Sequence, residues 1–404
     1  MVEPGAPIVN PSQLSDQIDA GVGRRGWRGS LERFDWGAYG IVFGTVAIWL
    51  IFNVTTGGLF LSPRNLTLLL VQTAGLGMLA SGAVLIMVSG NIDLSAGSSV
   101  GLCMTMVAIF QVSYGWDTPG AIGIVLLVGI AIGVWQGLWV AYAGIPAFIV
   151  TLASLSLLRG LAFIITNGQT FSPMSPSFES LANGSLVPSV SLVAVVVVAV
   201  VYIAYLARSA ITSRSAQPGG RAIAAAIGRG IPILAVLAIV ALVSSLYKGI
   251  PYPVIGLAAV ALAVAFVALR TRYGRHIYAI GGNREAAILA GVNVSRHVFF
   301  AFVGMGVLYA LAGSLLASRL NGAIPDASLG LELDVITACI IGGTSLFGGV
   351  GTIQGAILGS LLLTSLNSGM ELLGFSTFME WVVKGCVLLL AVLLDVTLKR
   401  RRAV

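Results

Sequence analysis

Apolar residues in this chain come in long uninterrupted blocks, separated by short joints rich in Gly, Pro, Ser and Arg. Blocks of about 17–25 residues are long enough to cross a bilayer core of about 30 Å as helices. We read them at 38–54, 66–88, 97–114, 120–142, 147–166, 189–207, 231–247, 253–270, 298–318, 332–346, 351–371 and 377–397. Two of these, 97–114 and 332–346, can equally be re-entrant segments. The pattern therefore predicts an all-α polytopic membrane protein with about 10–12 transmembrane helices, some broken or re-entrant. The domain plan is an N-terminal segment 1–36, a single transmembrane domain 37–398 and a tail 399–404. Inside the domain, 189–247 reads as an inserted hairpin with a flexible Ser/Gly/Ala/Arg-rich loop 208–230, and 271–297 as a polar loop.

Composition fits that class. Hydrophobic residues make up 57%, charged residues 9%, and the mean hydropathy is +0.99, whereas soluble domains carry roughly 25% charge. The net charge of +7 is not a nucleic-acid footprint, because the basic residues sit between the apolar blocks, where they orient a membrane protein. With an even number of spans and the N-terminus in the cytoplasm, seventeen of the twenty-two Lys and Arg fall on the cytoplasmic side. That bias places both termini and loop 271–297 in the cytoplasm. Residues 1 to about 35 lack an apolar core and are not expected to act as a signal peptide.

Little in the sequence supports catalysis. The lysines Lys248, Lys384 and Lys399 are followed by Gly, Gly and Arg. A phosphate-binding loop needs Lys followed by Ser or Thr after two spaced glycines. Cys103, Cys339 and Cys386 lie inside apolar blocks and form no disulfide framework. His276 and His297 are too few for a metal site. No metal or cofactor is expected.

Two polar interruptions carry most of the information. The first is the basic island Tyr273 to His297. Gly281 and Gly282 break the preceding helix, Asn283 is a good N-cap, and Glu285 suits the positive end of a helix dipole. Arg284, Glu285, Ala286, Ala287, Ile288 and Leu289 then form a helix of about two turns, ended near Gly291. So short a helix needs a surface to pack on, and Ile288 and Leu289 offer an apolar side. It lies on its own protein or the lipid surface, or it docks to a soluble partner.

The second is Asn91-Ile92-Asp93-Leu94-Ser95, flanked by Gly90 and Gly97. Irregular backbone and a carboxylate at this depth are tolerated only inside protein or against a cavity. Asp93 either caps the following helix or lines a path. Arg159 also lies within a block and requires a partner, with Glu179 or a carbonyl as candidates. Glu380 and Lys384 are four apart and read as an ordinary helix ion pair. Two glycine triplets, Gly129, Gly133, Gly137 and Gly351, Gly355, Gly359, share the four-residue spacing of a close-packed helix face. They pack either within one chain or between two.

Several motifs resemble known transporters. Glu285-Ala286-Ala287, three residues, then Gly291 resembles the coupling loop of ABC importer permeases. The wider string from Tyr278 to Val294, the run Asn91-Ile92-Asp93-Leu94-Ser95, Pro146 to Leu152 and Glu332 to Gly351 resemble the sugar permeases of the ribose/xylose/galactoside group. The inserted hairpin and Ile250-Pro251-Tyr252-Pro253-Val254 resemble its xylose-type members. The Ile-x-Leu-Pro ending of maltose-type permeases is absent. The resemblance implies a permease subunit in the bacterial inner membrane that works as a homodimer. It also implies a separate ATP-binding subunit holding ATP and Mg²⁺, and a periplasmic or lipid-tethered sugar-binding protein. It implies coupling through Asn283 to Leu289 and Gly291. The polar path candidates are Gln72, Asn91, Asp93, Ser95 and Asn321. Glu332 and Asp334 either receive the loaded binding protein, guide the polar sugar, or cap their span. Rival readings are a branched-chain amino acid permease, a proton-coupled sugar symporter, which would show paired intramembrane acids, and a membrane enzyme, which would need a convergent His, Cys or carboxylate cluster.

Overall fold

The computed structural model describes residues 36–214, 238, 240–245 and 247–402. We number the helices in chain order: α1 (Trp36–Thr55), α2 (Pro63–Val88), α3 (Ala96–Ala108), α4 (Thr118–Gly137), α5 (Ala147–Thr166), α6 (Pro176–Asn183) and α7 (Pro188–Arg214). There follow α8 (Tyr252–Arg270), α9 (Arg272–Gly282), α10 (Arg284–Leu289), α11 (Val294–Leu320), α12 (Leu331–Ile341), α13 (Ile353–Leu372) and α14 (Thr377–Arg402). Among the described residues there is no strand, only two isolated bridges, Phe171 with Ala323 and Ser185 with Pro251. The protein is an all-α polytopic membrane protein.

Seven described helices are both long and apolar enough to span: α2, α3 and α4 with their π-helical last turns, α5, α7, α8 and α11. The other expected spans also fall on helices, for physical reasons that set them apart. In α1 the apolar stretch Gly40–Thr55 is short. The polar side chains Ser360, Thr364, Ser365, Asn367 and Ser368 dilute α13. With 11 residues, α12 extends about 16 Å and cannot cross, so 332–346 is a half-length helix followed by an irregular turn. The 97–114 block is a continuous helix. Most of the expected span 231–247 lies outside the described residues, as does the N-terminal segment up to residue 35.

Some boundaries differ from those expected. Helix α7 continues to Arg214, so the start of the 208–230 loop is helical; residues 215–237 are outside the described set. Helix α14 runs on through Lys399 to Arg402. Helix α9 includes both Gly281 and Gly282 and stops only at Asn283.

The described residues from 41 onward form one compact unit. Its centre is α11, which packs on α2, α3 and α4. The glycine triplets explain the closest contacts, and they act within the chain. Gly129, Gly133 and Gly137 on α4 lie against Gly306, Phe302 and Phe299 of α11. Gly355 and Gly359 of α13 lie against Gly342 and Ala338 at the end of α12. Gly351 does not belong to that stripe: it precedes the helix and fits against Val88 and Thr344. Without a hydrophobic drive between helices in lipid, such backbone approach supplies much of the packing. By contrast α7 makes little contact with the bundle.

Candidate functional site

The polar island folds as expected around Asn283. Its Oδ1 accepts a hydrogen bond from the Ala286 N–H at 2.9 Å, with Asn283 extended at φ −155°. The helix ends where Gly291 turns left-handed at φ 80°. The Gly291 and Val292 N–H groups then donate to Ile288 and Ala287, an arrangement that uses glycine at its favoured position. The apolar side offered by Ile288 and Leu289 is turned away from the chain itself. Ala287 is the buried residue, whereas Ile288 is 54% and Leu289 89% exposed. Burying such a Leu would stabilise a contact by about 2 kcal/mol, and the chain itself leaves that unrealised.

What holds α10 in place is α9. Ile277 and Ile280 are buried, and Gly281 sits against the Val88 carbonyl, which accepts from Gly349 N–H at 2.9 Å. The Tyr278 hydroxyl donates to the Gly351 carbonyl at 2.7 Å. On the other side, Tyr273 donates to the His297 carbonyl at 2.9 Å and stacks on its ring. Burial pushes the Tyr273 phenol up, so it remains a donor. His297 Nδ1 lies 2.7 Å from the Asn293 carbonyl, which can only accept. That nitrogen therefore carries the proton, and His297 Nε2 accepts from His276 Nδ1 at 3.0 Å. The two histidines clamp α9 to the start of α11.

Two predicted groups meet here. A cavity of about 360 Å³ is lined by Ser89, Asn91, Pro146, Ile280, Arg284 and Ser295, among others. Asn91 of the broken segment and Arg284 of the island thus share one space. Asp93 and Ser95 lie deeper. Asp93 Oδ1 accepts from Ser95 N at 2.8 Å and Ser95 Oγ at 2.6 Å, and Oδ2 accepts from the Tyr309 hydroxyl. Gln136 Nε2 donates to Ser95 Oγ at 2.7 Å. All four side chains are buried. The network ties the segment before α3 to α4 and α11, and the Asp93 carboxylate serves the turn ahead of α3, not an N-cap side-chain bond, which is missing at Ser95.

The remaining path candidates stand apart. Gln72 is half-buried on α2. Asn321 ends α11 in a left-handed conformation at φ 52° and accepts from Met174 N at 2.9 Å. Glu332 and Asp334 are buried, so they present no docking surface. Glu332 Oε1 lies 3.7 Å from Arg159 Nη2, and Asp334 Oδ2 lies 2.9 Å from Lys384 Nζ. These pairs correct two expectations: Arg159 does not pair with Glu179, and Lys384 reaches across to α12, not along its own helix to Glu380. Sequence reading also missed Tyr309 and Gln136. Polar side chains inside spans 298–318 and 120–142 were the available signal.

Charged groups kept inside a helical bundle, with irregular backbone beside them, mark membrane proteins that move solutes. The class is a polytopic α-helical transport protein. Residues 65–392 match the family described as branched-chain amino acid transport system / permease component, and the chain belongs to it. It is 39% identical to the xylose transport system permease protein XylH of Escherichia coli (strain K12), over 97% of this chain and 99% of that protein. It is also 39% identical to XylH of Haemophilus influenzae, over 90% of this chain and 97% of that protein. Identity to the ribose import permease protein RbsC of Escherichia coli (strain K12) is 34%, over 83% and 87%. No solved structure matches the chain significantly.

Proposed function

We propose that this chain is the membrane-spanning subunit of an ATP-driven importer whose sugar is D-xylose. The observation that carries the mechanism is α10: a capped helix whose two apolar side chains, Ile288 and Leu289, face away from their own protein. A separate ATPase subunit, holding ATP and Mg²⁺, receives this helix at the cytoplasmic face, where both termini also lie. A second copy of the chain completes the pathway, and a sugar-binding protein delivers the substrate from the other side of the inner membrane. The near full-length likeness to two xylose permeases supports the choice of sugar.

Movement of α10 has a route inward. Helix α9 is bonded to the Gly348–Gly351 turn and packed on the end of α2. A push on α10 therefore displaces Val88 and, past it, the Asn91–Ser95 segment that borders the cavity. Labelled xylose uptake, with and without the ATP-binding subunit and with a protonophore, tests the reading. Uptake that needs the ATPase and survives the protonophore supports it. Uptake that ignores the ATPase and collapses with the proton gradient would establish a symporter instead.

A further inference from the structure

The path residues suggested by the sequence are either packed into the bundle or spread along its length. Glu332 and Asp334, which the sequence also offers as groups that guide a polar sugar, join two cations in a set that meets the requirements of a path wall. Arg159 sits twelve residues past Ala147 and seven before Thr166 on α5, about 18 Å and about 10 Å from the two ends. Lys384 sits seven residues past Thr377 on α14, about 10 Å in. Between them runs the half-length helix α12. Its carboxylates Glu332 and Asp334 are two residues apart, which places them on opposite sides of a helix. One reaches Arg159 and the other Lys384. The result is a row across three elements: Arg159, Glu332, Asp334, Lys384.

Two features separate this row from a dry structural pair. Both cations remain partly exposed in the single chain, Arg159 at 32% and Lys384 at 21% of the side chain. A charge at this depth faces water or protein, not lipid. Secondly, the Glu332 carboxylate is poorly satisfied. Its Oε2 is buried without a hydrogen-bond partner, and Oε1 at 3.7 Å from Arg159 is beyond hydrogen-bonding reach. Oε2 lies against Gly97 at the start of α3, where any side chain would collide with it. The Ser98 hydroxyl on the next residue is also buried and unpartnered. An Arg with spare donors beside a carboxylate with spare acceptor sites matches a neutral polyol, whose hydroxyls both donate and accept.

We propose that the Arg159–Glu332 pair is the polar wall against which the sugar passes, both side chains contacting its hydroxyls, while Asp334 and Lys384 anchor α12 from its other side. The proposal rests on the importer reading above. Ser156, exposed on α5 three residues before Arg159, shares its face.

The test uses the complete importer in membrane vesicles, in a Cys386→Ser background because Cys386 is exposed. Ser156→Cys is treated with an anionic methanethiosulfonate, with Val193→Cys on the apolar face of α7 as the comparison. The expected result is labelling of Ser156→Cys about tenfold faster, since a charged reagent needs water to reach and ionise the thiol, and slower labelling when xylose and its loaded binding protein are present. Equal rates at the two positions, or a rate unaffected by xylose, overturn the proposal. In parallel, Arg159→Met with Glu332→Gln removes both charges together. Uptake should fall about tenfold or more, as expected for lost charge-assisted hydrogen bonds, while the assembled complex stays at its normal level. Normal uptake overturns the proposal, and if this variant fails to assemble the labelling result decides. Failure of the importer reading is separate: it would appear as xylose uptake by the unmodified protein without the ATPase.

Discussion

Gly129 and Gly306 lie back to back across α4 and α11, so that a Cβ on either would collide with the other's carbonyl. The relationship is reciprocal, and it sits where α4 and α11 approach each other backbone to backbone. Gly129→Val should force the helices apart and destabilise the protein by about 1–3 kcal/mol, the usual range for overpacking. Gly123→Val on the same helix, where nothing lies within 4 Å, should leave the melting temperature in detergent unchanged. Equal melting of the two variants would disprove the contact.

Tyr309 donates to a carboxylate that has no solvent to turn to. Tyr309→Phe removes one of the donors to Asp93 while keeping the ring. A loss of about 1–3 kcal/mol is expected for a buried acceptor left short, read as a lower detergent-melting midpoint. Asp93→Ala should cost more, because the Ser95 amide, the Ser95 hydroxyl and Tyr309 all lose their acceptor together. A milder effect for Asp93→Ala than for Tyr309→Phe would show that the network is not organised around the carboxylate.

Leu289 tests the projecting helix. Leu289→Asp touches no packing in the chain, so melting should stay as it is, whereas co-purification of the ATP-binding subunit should drop at least tenfold if about 2 kcal/mol of apolar burial is lost. Asn283→Ala, by removing the cap, should weaken the same association by about 1 kcal/mol. Retention of the subunit by Leu289→Asp would remove α10 from the interface.

The two ends of the 186–250 segment are closed on each other. Leu186 N–H donates to the Ile250 carbonyl at 2.9 Å, Tyr252 N–H donates to Gly184 at 3.1 Å, and the Ser185 hydroxyl donates to Lys248 at 2.6 Å. Replacing residues 187–249 by Asn-Gly should therefore join Leu186 to Ile250 through a two-residue turn of the kind such pairs favour. The shortened chain should insert and melt within a few degrees of the full one. Aggregation of the shortened chain would mean that the hairpin supports the bundle.

Features fixed by local chemistry were legible in the sequence. The apolar blocks, the Asn283 cap and the Gly291 stop each depend on a few neighbouring residues. What was not legible depends on packing between distant segments. Nothing near Arg159 in sequence points to Glu332, and Lys384 has a suitable acid at Glu380 that it nonetheless passes over for Asp334. Of the alternatives left open for Ile288 and Leu289, packing on the chain or facing away from it, only the fold decides, because the face a six-residue helix turns inward is set by Ala287 fitting beneath it. Of the path candidates, Asp93 and Ser95 were recognisable as anomalous, but their partners Tyr309 and Gln136 come from helices whose register only the fold determines.

The bridge between Ser185 and Pro251 is a joint at which the chain returns to where it left. Because the chain meets itself there, what lies between should bear lengthening, shedding or exchange without altering the order in which the remaining helices assemble. The same joint is a ready position for fusing a fluorescent or affinity domain to a protein whose interior has little tolerance for change.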